Sequence, residues 1–246
     1  MTVLVITAVE AERDAAVAQL STSEPIELGG YSGVSVPTAA GELHAFHAGV
    51  GPVAAAATTA VLLALGPEYE LIVSAGIAGG FIGRAEVGDV VWADQVIAAD
   101  QGVVTDDGFL SLRELGLPGN GGYAIGELGY RARLSAGSFR LRGGDVLTLS
   151  SMTGTTERAA ELAVRYPRAV AEAMEGYGVV EATRRDYQRS ERDVPFAEVR
   201  AISNIIGRRD RSTWNIPRAF DALAEAMSLL LSAPLLSAPL AGERLP

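Results

Sequence analysis

Ala169-Val-Ala-Glu-Ala-Met-Glu-Gly-Tyr-Gly178 is the stretch on which the reading of this chain turns. Ala169 to Met174 are small or apolar apart from Glu172, so the run predicts a short buried strand. The strand ends on Glu175. Gly176 follows, a residue that lets another backbone or a ligand come close, and Tyr177 to Ala182 open a helical pattern. A carboxylate where a strand gives way to a helix sits at the usual ligand crevice of an α/β sheet. Buried and ionised, it is costly unless something binds it. Two vicinal hydroxyls, such as those of a ribose, satisfy a carboxylate bidentately. A lone Glu in a first helical turn is more simply a partner of the helix dipole, so the weight rests on its companions elsewhere in the chain.

The chain has 246 residues, enough for one large α/β domain over positions 1–246 without a second. Hydrophobic residues make up 48% and charged residues 20%, which supports a sizeable core. The net charge of −10 and a pI near 4.8 leave no basic surface to displace counterions, so a nucleic-acid partner is not expected. There is no cysteine, hence no disulfide, thiolate nucleophile or Cys-ligated metal. His44 and His47 are the only histidines, and strand spacing puts them on opposite faces, which disfavours a shared metal. The start, Met-Thr-Val-Leu-Val-Ile, reads as a first strand and not as a signal peptide. No uninterrupted apolar run reaches membrane-spanning length. A cytoplasmic protein with no membrane partner is expected.

Outward from the opening stretch, Thr2 to Thr7 predicts a buried strand, and Glu10-Ala-Glu12 begins a helix to Leu20. Both acids suit a first turn; alternatively one of them faces the crevice and orients a water. Pro25 to His47 predicts a meander, with turns at Gly29-Gly30, Ser32-Gly33 and Ala40-Gly41. Pro52 suits a first helical position, and the Ala/Thr/Leu run continues to Leu65. Glu70 to Ser74 predicts a strand that ends in a Gly-rich turn, Ala75-Gly-Ile-Ala-Gly-Gly80. The spacing is not that of a dinucleotide fingerprint; it implies a backbone passing close to a ligand or a neighbouring strand. Val87 to Asp94 leads into another strand. Asp100 to Tyr123 reads as a long polar excursion of the functional or interfacial kind. A helix is expected near Glu127 to Leu134, a strand over Phe139 to Leu149, and a helix over Glu157 to Arg165 capped by the Ser/Thr-rich loop 150–156. Phe196 to Ser203 predicts the last strand, with Asn204 at its end. Arg208, Arg209 and Arg211 flank Asp210; one arginine is expected to pair with Asp210 and at most one to reach a ligand. A final helix spans Pro217 to Leu231, and a loosely ordered tail follows from about residue 234.

Four segments in order, Glu10-Ala-Glu12, Gly76-Ile-Ala-Gly-Gly80, Met174-Glu175 and Val199-Arg-Ala-Ile-Ser-Asn204, resemble the nucleoside phosphorylase and nucleosidase superfamily. Within it, Asn204 and Gly207-Arg-Arg-Asp-Arg-Ser-Thr-Trp214 resemble the futalosine hydrolases of the alternative menaquinone pathway. The resemblance implies a three-layer α/β/α fold around a mixed twisted sheet. It implies an N-ribosyl hydrolase for a small nucleoside, without metal or organic cofactor, that forms a homodimer or higher homo-oligomer. In relatives, the long loop often crosses to the neighbouring subunit.

The resemblance also assigns roles to residues. Glu12 matches the carboxylate that activates water, and Glu175 the residue that holds the ribose hydroxyls. Met174 packs on the sugar, and Arg200 lies near the attacking water. Ser203 and Asn204 fall where the purine is recognised. Met152 and Thr153 lie beside the base, although relatives place an aromatic ring near Met152. Gly76 and Ala78 line the substrate. Arg209 and Trp214 suit the carboxylated aromatic group at the 5′ end of futalosine, by ion pairing and ring cover. Ile77 stands where phosphorylases carry a hydroxyl for phosphate, which counts against phosphorolysis. Asn204 offers an N–H to a 6-oxo group or to N7, where an Asp would serve a 6-aminopurine, so hypoxanthine is the expected leaving group. The alternatives are a 5′-methylthioadenosine/S-adenosylhomocysteine nucleosidase, a purine nucleoside phosphorylase and a catalytically silent nucleoside-binding relative.

Overall fold

The computed structural model describes residues 2–117, 122–125 and 131–234. The tail expected beyond Pro234 and most of the helix expected before Leu134 lie outside the described residues. The chain begins with β1 (Thr2–Thr7), α1 (Glu10–Val17) and the meander β2 (Glu24–Leu28), β3 (Tyr31–Thr38) and β4 (Gly41–His47). Then come α2 (Pro52–Leu65), β5 (Leu71–Gly80) and β6 (Val90–Ala98). The expected excursion holds a hairpin, β7 (Gly102–Thr105) and β8 (Gly108–Ser111), and a short β9 (Gly122–Ala124). A helical turn α3 (Arg131–Leu134), β10 (Leu141–Thr148), α4 (Thr156–Arg165) and β11 (Ala169–Ala173) follow. The chain closes with α5 (Gly176–Ser190), β12 (Phe196–Ile205) and α6 (Ile216–Leu230).

The main sheet runs β11-β10-β6-β12-β5-β1-β4-β3-β2, with β9 added beside β6. β1 and β5 are parallel neighbours at its centre, while β12 is parallel to β5 and antiparallel to β6. It is therefore mixed, with helices on both faces, as expected. Strand alternation builds the two faces. In β1, Val3 and Val5 pack under α1 and α6, and Leu4 and Ile6 pack under α2 and α5. Gly51 caps α2 at φ +98°, and Pro52 sets its first turn. Gly178 lets α5 lie directly against α2, because a Cβ there would run into the Pro52 carbonyl.

Two expectations need correction. Ala75 to Gly80 is not a turn: β5 continues through it. Glycines weaken a strand by propensity, but here they occupy points of close approach. A Cβ on Gly79 would sit 2.5 Å from Ile206 Cγ2, and one on Gly80 would sit 3.0 Å from Ile202 Cγ2. The extra length lets Gly79 and Gly80 pair antiparallel with Glu172 and Ala171 of β11, so part of the sheet curls back on itself. Likewise, Ser32-Gly33 is not a turn, since both residues lie inside β3. Asp106-Asp107-Gly108 turns the β7–β8 hairpin, with Gly108 at φ +126°. Phe109 is half-buried beneath the Arg165 guanidinium, 4.3 Å from its ring centre, while Leu110 is exposed.

Candidate active site

β1, β5, β11 and β12 bring their chemistry together around one guanidinium. Arg200 on β12 is 0% exposed. Its Nε donates to Glu198 Oε1 at 2.8 Å and its Nη2 to Ser74 Oγ at 2.9 Å, while Nη1 lies 3.5 Å from Glu175 Oε2. Burial opposes the Arg200 charge, but Glu198, Glu175 and Glu12 outweigh it and raise the pKa. Glu198 is fully buried too, and burial pushes its carboxyl up against the pull of Arg200.

Glu12 sits in the first turn of α1 and folds back on the chain. Its Oε2 accepts from the N–H of Ala8 at 3.0 Å and of Val9 at 3.3 Å, satisfying donors a helix start leaves free. Its Oε1 accepts from the Ile77 N–H of β5 at 2.8 Å. Burial raises the Glu12 pKa; the Arg200 charge and the Ile77 N–H pull against it, and the Glu175 charge adds to it. Glu10 instead turns outward to Arg13, at 2.9 Å. Glu175 ends the opening stretch as the cap of α5. Its Oε1 accepts from Gly51 N–H at 3.1 Å and its Oε2 from Met174 N–H at 3.3 Å. Gly76 makes room for the cluster: a Cβ there would lie 2.6 Å from Glu12 Oε1 and 2.8 Å from Arg200 Nη1.

Farther along the same strands lies a second group. β12 slips register between Ile202 and Asn204, a bulge of the kind that re-aims a side chain. Ser203 is buried, with Oγ 2.9 Å from Asn204 Oδ1 and 3.2 Å from the Ala78 carbonyl. Among the described residues, Asn204 Nδ2 makes only a long 3.4 Å contact, to the Ile205 carbonyl. Asn204 and Glu172 are both in register with Gly79. Glu172 accepts from the Thr153 N–H at 2.9 Å and meets Thr153 Oγ1 at 2.6 Å. Met152 is exposed, and Met174 is half-buried beside Glu175.

A third group is held to the second through the backbone. Arg209 N–H donates to the Gly154 carbonyl at 3.1 Å, and Asn215 N–H to the Ser203 carbonyl at 2.8 Å. The Arg209 guanidinium lies 5.1 Å from the Trp214 ring centre and that of Arg211 at 6.0 Å. Arg208, Arg209 and Arg211 are exposed. Asp210 does not take an arginine as expected. Its carboxylate caps the following 3-10 turn, Arg211–Thr213, by accepting from Ser212 N–H at 2.9 Å and Ser212 Oγ at 2.6 Å.

The family model of the phosphorylase superfamily matches residues 2–235. This chain belongs to the phosphorylase superfamily. Among relatives in the superfamily, it is 42% identical to a futalosine hydrolase of Streptomyces coelicolor, covering 94% of this chain and 95% of that protein. It is also 42% identical to a futalosine hydrolase of Acidothermus cellulolyticus, over 92% of this chain and 89% of the other. A similar solved structure is the 5′-methylthioadenosine/S-adenosylhomocysteine nucleosidase of Neisseria meningitidis in complex with methylthio-immucillin-A. Its TM-score is 0.77 at 21% identity, covering 94% of this chain and 98% of that one; this likeness is one of fold.

Sequence reasoning passed over Ser74, Gly51, Glu172 and Glu198. Glu198 had a readable signal: it stands two residues before Arg200 in a strand, hence on the same face. Glu172 was visible as the one charge in an apolar run. Gly51 and Ser74 gave none, since their partners are remote in sequence. The Gly76 geometry yields a prediction. Gly76→Ala forces Glu12 and Arg200 apart and costs about 1–3 kcal/mol, as overpacking does. Thermal unfolding together with substrate turnover checks it; a variant with unchanged melting temperature and unchanged turnover contradicts it.

Proposed function

We propose that the protein hydrolyses the N-glycosidic bond of futalosine, releasing hypoxanthine and the dehypoxanthine sugar product in the alternative menaquinone pathway. The observation that carries the reading is the whole-length 42% identity to two futalosine hydrolases. In this reading one nucleosidase-like domain in the cytoplasm carries the activity, and no metal or organic cofactor takes part.

The geometry supports a division of labour. Breaking the C1′–N9 bond puts positive charge on the ribose and leaves the bonding pair on the purine. Glu175, fixed by Gly51 and Met174 N–H groups, takes the ribose hydroxyls and faces the developing cation, while Met174 packs on the sugar. Glu12 orients a water on the far face and accepts its proton as the water oxygen bonds to C1′. Burial raises the Glu12 pKa, which makes its carboxylate a stronger base than an ordinary one. Arg200 holds the carboxylates in place from below; lying wholly buried, it serves the water through Glu12 and Glu175. Asn204, its Oδ1 turned to Ser203, presents Nδ2 to N7 or O6 of the leaving base. Gly76 and Ala78 form the strand floor, with Met152 and Thr153 at the base edge. Arg209 and Trp214, already stacked, suit the carboxylated aromatic end of the substrate.

A 5′-methylthioadenosine/S-adenosylhomocysteine nucleosidase is disfavoured because Asn204 has no acidic proton for an adenine leaving group. A phosphorylase is disfavoured because Ile77 has no hydroxyl for phosphate. The deciding experiment is product analysis on futalosine with and without phosphate. Hypoxanthine and a free reducing sugar are expected at every phosphate concentration. A sugar 1-phosphate whose rate of formation tracks phosphate would overturn the reading.

Glu12→Gln is expected to lower kcat by about 10²–10⁴-fold while substrate still binds. The wild-type pH profile carries its own sign. Glu12 works ionised and its pKa is raised. Activity therefore falls on acidification already above the usual carboxylate range, and the residual activity of Glu12→Gln lacks that limb. Superimposable wild-type and variant profiles would remove Glu12 from its role.

The assembly proposed is a homodimer or higher homo-oligomer in which a second copy covers the β7–β8 hairpin. That hairpin exposes Val103 at 45% and Val104 at 83%, beside exposed Leu110. Sedimentation is expected to show a species larger than the monomer at micromolar concentration, weakened by Val104→Lys. A monomer throughout would refute it.

A further inference from the structure

Glu172 is a fully buried carboxylate that the hydrolytic chemistry leaves unused. It lies within β11, 0% exposed, in a segment otherwise made of small and apolar residues. An ionisable group there is costly, and its burial pushes the carboxyl up, with both Thr153 bonds pulling the other way. Both partners of the carboxylate come from that single residue: Oε1 takes the Thr153 N–H at 2.9 Å and Oε2 the Thr153 Oγ1 at 2.6 Å. We infer that Glu172 fixes the hydrogen-bond polarity of Thr153, so that the Thr153 hydroxyl oxygen acts as a pure acceptor that reads the N1–H of a 6-oxopurine.

The inference rests on the proposed futalosine reading and adds the group that selects the base. A hydroxyl has one hydrogen and two lone pairs. The backbone N–H of Thr153 can only donate, so it occupies one carboxylate oxygen. The other oxygen of an ionised carboxylate has no hydrogen, so the hydroxyl must donate to it. Thr153 Oγ1 then has only lone pairs left for anything else. Thr153 is half-buried where Glu172 is not exposed at all, so Thr153 meets the base and Glu172 is a positioning residue behind it.

The placement agrees with this polarity. Asn204 of β12 and Glu172 of β11 are both paired with Gly79, which has no side chain to part them. A Cβ on Gly79 would lie 3.5 Å from Asn204 Nδ2 and 3.6 Å from Glu172 Cγ. A donor on one strand thus faces an acceptor system on the other across a single glycine. Hypoxanthine presents a donor at N1 and acceptors at O6 and N7, complementary to that pair. Adenine has an acceptor at N1, which would bring lone pair against lone pair. The Gly154 carbonyl bond to Arg209 N–H holds the loop carrying Thr153 in position.

The test is Glu172→Gln. The Gln oxygen must take the Thr153 N–H, which leaves its NH2 to donate to Oγ1 and turns the hydroxyl hydrogen toward the base. The ratio of kcat/KM for futalosine over its 6-amino analogue is expected to fall about ten- to a hundredfold. Thr153→Ser keeps the wild-type ratio, and Thr153→Val loses it. A second measurement is inhibition by free bases. The wild type is expected to bind hypoxanthine at least about tenfold more tightly than 1-methylhypoxanthine, which lacks the N1–H, and Thr153→Val to bind the two alike. An unmoved substrate ratio in folded Glu172→Gln overturns the inference, as does equal wild-type affinity for the two bases. A wild type that releases no hypoxanthine from futalosine fails the proposed function instead.

Discussion

The structure depends on keeping one cation among three carboxylates out of water. Arg200, Glu12, Glu175 and Glu198 are all buried. Removing an ion from water costs several kcal/mol even after relaxation, and a pair recovers it only where the remaining hydrogen bonds are made. A single guanidinium cannot satisfy three carboxylates, so the fold divides the task. Arg200 bonds Glu198 directly. Glu12 is held by the N–H groups of Ala8, Val9 and Ile77, and Glu175 by those of Gly51 and Met174. Those donors belong to the end of β1, the middle of β5, the start of α2 and the end of β11. These four places must therefore converge on Arg200, and the central order of the sheet meets that demand. Gly76 is the cost on the β5 side, because no larger residue fits between Glu12 and Arg200.

The same constraint supplies what a glycosidic cleavage needs. Donors belonging to the backbone do not reorganise as charge develops, so the proposed site is set before substrate arrives. An excess of carboxylate over guanidinium favours a positive centre such as an oxocarbenium-like ribose. Burial also raises the basicity of Glu12, where a solvated carboxylate would be a weak base for water. One feature of the packing thus bears on two parts of the proposed chemistry.

What could be read in the sequence was what short-range pattern controls. β1 and the end of β11 announced themselves as apolar runs, α2 by Pro52, and the helix after Glu175 by the change of period. The continuation of β5 through Gly76, Gly79 and Gly80 was not legible. Its glycines answer to Glu12, Arg200 and Ile206, none of them local. The β7–β8 hairpin was hidden because its strands are four residues each and mostly exposed, with no buried face to produce alternation. The candidate residues could be picked out as a set through their order, while the partners that hold them could not. Gly51 and Glu175 are 124 positions apart, and Arg200 and Ser74 are 126. The expectation for Asp210 failed because sequence adjacency suggested an arginine, whereas the nearer Ser212 N–H and hydroxyl offered two well-placed donors.

The long strands also separate the two proposed functions of the site. Gly76 stands at the proposed hydrolytic cluster and Gly79 at the proposed base-reading group, three residues or about 10 Å apart along β5. On β12, Arg200 and Asn204 are similarly spaced, with the register slip between Ile202 and Asn204 lying between them. The slip has a consequence: the orientation of Asn204 is decoupled from the strict alternation that fixes Arg200. Glu172 on β11 and Glu175 just beyond its end repeat the separation. In the proposed site, substitution at Asn204, Glu172 or Thr153 therefore alters what the base meets without touching any group that bonds Glu12, Glu175 or Arg200. A fold arranged this way can keep one way of cleaving the sugar–base bond and change the base it cleaves. On this reading the shape of the fold alone does not specify the substrate; the proposed donors and acceptors beyond the slip do.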